Sequence, residues 1–219
     1  MKIRNGFVSN SSSSSFLVLF PKKIENYDEL FNLMWTKENT KNIQERWVFK
    51  TNGNITKKHY NYLDITFKEF QKWATKTVLN DIQTQKENNF LRAISLISHT
   101  DGWYDEKKEK FLHDDFTLNS IDDIKEIINK RDKINNKLSK FDWNIFSDDY
   151  YNSLSELTDD FEWITNIEES LNEINDVINS NNNKIFYSFS FSDECSTHFS
   201  IMEHGEVFGK LPTFIESFH

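Results

Sequence analysis

The sequence predicts an α+β fold: a small antiparallel sheet formed by an N-terminal strand and a C-terminal β-hairpin, covered by a helical middle region with an antiparallel helical hairpin. Three observations carry that prediction. Residues 16–20 read FLVLF, an unbroken apolar run stopped by Pro21, which fits a strand buried on both faces. In the stretch KIFYSFSFS, Ile185, Tyr187, Phe189 and Phe191 alternate with Ser188, Ser190 and Ser192, the period of two that a pleated strand imposes. Between these ends apolar residues recur at helical spacing, and only 5 Gly and 2 Pro interrupt the 219 residues, which favours long helices over tight loops. The chain is expected to be a single domain, 1–219, with a helical insertion at about 66–180 between the first strand and the last hairpin.

The elements follow in order. A short helix is expected over 27–37, with Leu30, Phe31, Met34 and Trp35 on one side. Trp47, Val48 and Phe49 read as a strand, and Asn52-Gly53 is a favoured type I′ turn, so a hairpin returning over 55–60 is expected. Thr66 and Glu69 have the spacing of a capping box opening a helix to about residue 85. A further helix spans 89–98, and the acidic, aromatic stretch 101–116 is expected to be loop with short helical pieces. Ser120 opens the clearest helix, with Asp122 and Asp123 suited to its N-terminal dipole and Ile124, Ile127, Arg131, Ile134 and Leu138 in one stripe. Residues 158–179 repeat the pattern through Ile164, Ile167, Leu171, Ile174 and Ile178. Stripes of about two to three heptads point to packing within a domain rather than to a free-standing coiled coil. Arg131 then lies at the edge of its stripe or pairs with an acid. After Asn181-Asn182-Asn183 the C-terminal hairpin is expected, its return arm running through Phe199, Ile201 and Met202, with Gly205 and Gly209 allowing bends beyond it.

Composition limits function. Phe alone contributes 20 residues and aromatics 15%, so a core built from large rings is expected and disorder is not. A net charge of −9 disfavours broad nucleic-acid binding; it serves solubility, or it docks an acidic surface on a basic partner. One cysteine, Cys195, permits no internal disulfide and suits a reducing cytoplasm. No apolar run approaches membrane-spanning length, and a polar serine tract follows the first residues where a secretory signal would be apolar. The expected location is the cytoplasm.

Five serines, Ser11, Ser12, Ser13, Ser14 and Ser15, abut the first strand. Consecutive amides flanked by hydroxyls can form a concave anion site, and Arg4 nearby can clamp an oxyanion with two hydrogen bonds. The same hydroxyls can instead cap backbone groups in a tight crossover. The opening MKIRNGFVSNSSSSSF resembles an N-terminal signature of a group of uncharacterised proteins of bacteriophages and low-GC bacteria, together with the step Glu203-His204-Gly205 and a final His219. The resemblance covers about 35 residues at the two ends and implies a phage or mobile-element setting. It implies no activity.

If the first strand lies beside the last hairpin, the two ends meet and their polar groups converge. Arg4, the serines Ser11 to Ser15 and His198 are then the candidate ligand-binding residues, for a phosphate or carboxylate. Glu203, His204 and His219 are the candidate catalytic residues, since a carboxylate beside an imidazole holds the ring and raises its basicity; Glu206 lies close by. The bland reading of the same residues is a hairpin end with solvated charges. No metal site is expected: Cys195 with His198 falls short of a structural zinc set, and His99, Asp101, His113, Asp114 and Asp115 follow no known ligand spacing. Whether a cofactor is used is left open by the sequence. Two functions stay open. One is a phage-type accessory protein acting by binding, as an inhibitor of a host factor or defence or as a particle component. Its aromatic segments DGWYDEKKEKF and DWNIFSDDYY would supply anchors. The other is an enzyme or sensor handling a nucleotide or other phosphorylated small molecule through the Arg/Ser/His/Glu set. A host or phage protein and an anionic small molecule are the expected partners, with no membrane and no broad nucleic-acid binding. The oligomeric state is not set by the sequence.

Overall fold

A computed structural model describes residues 13–50, 62–98, 102–113, 116–138, 148–192, 201–202 and 206–218. In chain order the elements are β1 (Ser13–Phe20), α1 (Tyr27–Met34), α2 (Lys37–Arg46), β2 (Val48–Phe49), β3 (Tyr62–Leu63), α3 (Phe67–Thr84), α4 (Phe90–Ile97), β4 (Trp103–Asp105), β5 (Lys110–Leu112), β6 (Thr117–Leu118), α5 (Ile121–Leu138), α6 (Asp148–Ser180), β7 (Ile185–Ser192), a 3-10 turn (Glu206–Phe208) and β8 (Thr213–Phe218). The chain divides into two compact units, Met1–Asn89 with Asp176–His219, and Phe90–Asn175. The fold is α+β, and β1 pairs with C-terminal strands in a small antiparallel sheet.

In the first unit β1 is the middle strand of three, in the order β7-β1-β8. Its pairing runs from Ser13 opposite Ser192 and Phe218 to Phe20 opposite Ile185. Both faces are buried, as the apolar run demands: Phe16, Leu17, Val18, Leu19 and Phe20 are all inaccessible. Phe16, Val18 and Phe20 share one face with Tyr187, Phe189 and Phe191 and pack on Leu30 and Met34 of α1, Phe70, Ala74 and Val78 of α3, and Phe208. The rings interlock, with the Phe208 centroid 5.8 Å from Phe16 and 5.2 Å from Phe189. The third strand differs from expectation. Ile201 and Met202, placed by the sequence on a return arm, are helical, and Thr213–Phe218 takes the place beside β1. Both Ile201 and Met202 are buried in the core, a role that helix and strand serve equally.

Local signals set the helix ends. The Asn26 side chain accepts from Glu29 N at 3.0 Å and opens α1. The helix ends at Met34, earlier than expected, because Thr36 turns extended and caps a new helix, accepting from Asn39 N at 3.1 Å. Between them the Trp35 indole N–H donates to Thr75 Oγ1 at 2.8 Å inside the core. The expected capping box of α3 is formed in both directions, Thr66 with Glu69. The expected hairpin from Phe49 is replaced: β2 pairs in parallel with β3, Val48 opposite Tyr62 and Phe49 opposite Leu63. Asn52-Gly53 and the expected return arm lie outside the described residues.

Polar side chains finish the outer edge of β7. Phe186 N donates to Asn88 Oδ1 at 2.9 Å, and Asn88 N to Phe186 O at 3.0 Å. Ser188 N donates to Gln85 Oε1 and its carbonyl accepts from Gln85 Nε2, both at 3.1 Å. Two amide side chains thus stand in for part of a fourth strand, satisfying backbone groups that an open edge would expose. Asn88 holds φ +56° to do so, a conformation Asn tolerates better than most residues.

The second unit replaces the loop expected over 101–116 with a three-stranded antiparallel sheet, β4-β5-β6. Trp103 faces Leu112, Tyr104 faces Phe111, and Phe111 faces Leu118. Strands of two or three residues are too short to show a period in sequence. Asp105 shapes the hairpin turn, its Oδ1 accepting from Lys107 N at 3.0 Å and Lys108 N at 3.1 Å. Gly102 is required because the Phe111 ring fills the space of a Cβ. Ser120 and Asp123 cap α5: Asp123 accepts from Asn119 N at 2.6 Å and from Ser120 Oγ at 3.0 Å. Arg131 pairs with Glu168 at 2.6 Å and with Asp132 at 2.8 Å, and donates to Thr165 Oγ1 at 3.3 Å. That settles its place on the stripe in favour of pairing. Among the described residues no helix is long and apolar enough to cross a membrane.

Two predictions follow from these contacts. Asn88→Ala removes the amide side chain and strains a left-handed backbone. Exchange of the Phe186 amide should accelerate by about tenfold or more, equivalent to about 1.4 kcal/mol, while the Val18 amide in the middle strand changes less. Equal acceleration of both in native-state hydrogen exchange would show that the edge bonds are not separately stabilising. Asn119 and Ser120 hold the Asp123 carboxyl below its ordinary value of 3.8. A depressed folded-state value means the contribution is present above the unfolded value and lost as pH falls through the folded one. Asp123→Asn should therefore flatten the loss of stability below that ordinary value, as read from urea midpoints across an acid series.

Candidate functional site

Three of the five serines lie inside β1. Ser14 and Ser15 are 3% exposed, and their backbones sit in register with Phe191 and Ser190 on one side and with Ser217 and Glu216 on the other. Their amides belong to the sheet ladder, so this part of the tract has a structural use for the groups that an anion nest would need. Arg4, Ser11, Ser12, His198, Glu203, His204 and His219 lie outside the described residues, as does Cys195. What the sheet does fix is the meeting of the ends. β1 begins where β7 and β8 finish, with Ser13 opposite Ser192 and Phe218. Ser12, Asp193 and His219 are each the next residue along the chain from that end of the sheet.

Of the acids and histidines expected at the ends, Glu206 is the one whose side chain is described, and it builds a second site. Its carboxylate meets Arg46 Nη1 at 2.5 Å and accepts from the Trp47 indole N–H at 3.0 Å. This fixes the 206–210 turn against α2. Asn39, buried on α2, donates its amide to Met34 O at 2.6 Å and to Val207 O at 3.4 Å. Gly209 holds φ +59° and leaves its Cβ space to the Asn39 amide. Lys210 pairs with Glu38 at 2.6 Å. The result is a cleft of about 240 Å³ lined by Glu38, Asn42, Arg46, Glu206 and Lys210 among others. Its charges are of both signs and are paired across the cleft. Arg46 and Glu206 are far apart in sequence, and no local pattern could have joined them.

In the second unit the exposed feature is aromatic. Trp103, on the edge strand β4, is 51% exposed. Other described tryptophans are engaged: Trp35 is in the core, Trp47 is bonded to Glu206, and Trp163 stacks on Phe116 with centroids 3.8 Å apart. His113 continues that stack, 4.5 Å from Phe116. Among the described residues no group of three or more His, Cys, Asp or Glu is placed to hold a metal ion. Comparison with protein-family models, with curated proteins and with solved structures gives no match to this chain.

Glu206→Ala should cost about 1 kcal/mol, because it removes the acceptor of the part-buried Trp47 indole N–H, while the exposed Arg46 guanidinium is met by water. The Trp47 indole N–H resonance should shift with it, while Glu38→Ala at the cleft rim leaves that resonance in place. An unchanged indole signal in Glu206→Ala would rule out the latch.

Proposed function

We propose that this protein acts by binding another protein, in a phage-type accessory role such as inhibition of a host factor or defence, or as part of a particle. The phage setting rests on the resemblance of its two ends. The single observation that carries the binding role is Trp103, half exposed on an edge strand while the other described aromatic side chains are at least partly buried. Tryptophan combines large area with few rotatable bonds and a donor, and it dominates binding hot spots. The hairpin β4–β5 holds it on a short, hydrogen-bonded support, so ordering on binding costs little.

A second reading is an enzyme or sensor for a nucleotide or other phosphorylated small molecule, using Arg4, the serines, His198, Glu203, His204 and His219. The observation that supports it is the shared end of β1, β7 and β8, from which Ser12, Asp193 and His219 continue.

One pair of measurements separates the readings. Trp103→Ala should leave the unfolding midpoint within about 0.5 kcal/mol, as for a surface change, and weaken capture of the protein partner by about 30-fold or more. Full retention of partner binding would remove the docking role. A rise in thermal midpoint with a nucleotide or sugar phosphate, lost in Arg4→Ala, would favour the second reading.

A further inference from the structure

We infer that the partner is a Lys- and Arg-rich protein surface, and that the unit Phe90–Asn175 is the part that receives it; the inference rests on the protein-binding reading above. Charge is divided unequally between the two units. Residues 90–175 hold 20 Asp and Glu against 10 Lys and Arg, while the rest of the chain holds 15 against 16. The whole negative excess of the protein therefore belongs to the unit that also displays Trp103. Within it, residues 148–175 carry nine Asp and Glu and no Lys, Arg or His, although this stretch is helical throughout.

Folding does not call for that distribution. Like charges four apart, as at Glu169 and Glu173, oppose the helix that holds them. The buried side of this helix is already apolar through Ile164, Ile167, Leu171 and Ile174. Asp122, Glu126, Glu169 and Glu173 all stand exposed to solvent. An acidic field of this kind steers a cationic surface into encounter and rejects anionic ones, while a half-exposed indole supplies the short-range anchor. A nucleic acid would be repelled by the same field, and a neutral apolar partner would gain nothing from it.

The test uses the full chain with oligolysine as a cationic probe and oligoglutamate as the control, followed by amide and indole NMR shifts. Two variants remove the same number of charges from different units: Asp122→Asn with Glu126→Gln, Glu169→Gln and Glu173→Gln, against Glu25→Gln with Asp28→Asn, Glu45→Gln and Glu87→Gln. Oligolysine should perturb signals of residues 90–175 and weaken steeply as salt rises from about 20 to about 300 mM. The first variant should lose about fivefold or more in affinity and the second under about twofold. Equal losses in both variants, or shifts spread over the first unit, would overturn the inference. The buried apolar residues of both helices, among them Ile124, Ile164, Ile167, Leu171 and Ile174, are untouched in the first variant, so circular dichroism should show it folded. If oligolysine binding follows the charges but Trp103→Ala leaves the protein partner's affinity intact, the basic-partner inference stands and the Trp103 anchor falls. If the purified partner proves acidic or binds without salt dependence, the basic-partner inference falls while protein binding stands.

Discussion

The structure depends on β1 being the middle strand of its sheet. A strand apolar on both faces has no side it can turn to water, and its backbone groups must be paired on both edges. The chain meets that demand with strands from its far end, Ile185–Ser192 on one side and Thr213–Phe218 on the other. Everything between Phe20 and Ile185 is thereby an excursion that leaves the sheet and returns to it. Part of the excursion, α1 and α3, pays for its ordering by covering the face made by Phe16, Val18 and Phe20. The part from Phe90 to Asn175 forms a compact unit with apolar contacts of its own, including Phe111, Leu118, Ile124 and Ile167.

Polar side chains complete what the short sheet leaves undone. Gln85 and Asn88 answer the outer backbone groups of β7, Asn39 bonds two carbonyls on different segments, and Glu206 ties its turn to α2 through Arg46 and Trp47. Each replaces a backbone partner or a water with a fixed donor or acceptor, which satisfies buried polar groups and fixes register at once. The same economy governs Ser14 and Ser15, buried in the ladder at the head of β1. Residues that look available for chemistry in the linear sequence can be engaged by the fold, and Glu206 is the clearest case.

The two units differ in chemistry as well as in architecture. One is close to electrically balanced and is organised around aromatic packing. The other carries the negative excess and an exposed indole. The proposed binding role draws on that contrast rather than on any catalytic string.

The sequence by itself determined whatever rests on local or periodic chemistry. The Thr66–Glu69 capping box, the Ile124–Arg131 stripe, the two-faced burial of FLVLF and the alternation from Ile185 to Phe191 could be read directly, because neighbours along the chain decide them. The meeting of the chain's ends was legible too, since a fully buried strand needs partners and the other strong strand signals lay at the far end. Tertiary structure alone decided the rest. It chose Thr213–Phe218 over the return arm through Ile201 and Met202, paired β2 with β3 in parallel, and drew three short strands from the segment 103–118. It also joined Arg46 to Glu206. Strands of two or three residues carry no period, and a salt bridge between distant positions leaves no local trace; both exist only once packing has brought the segments side by side.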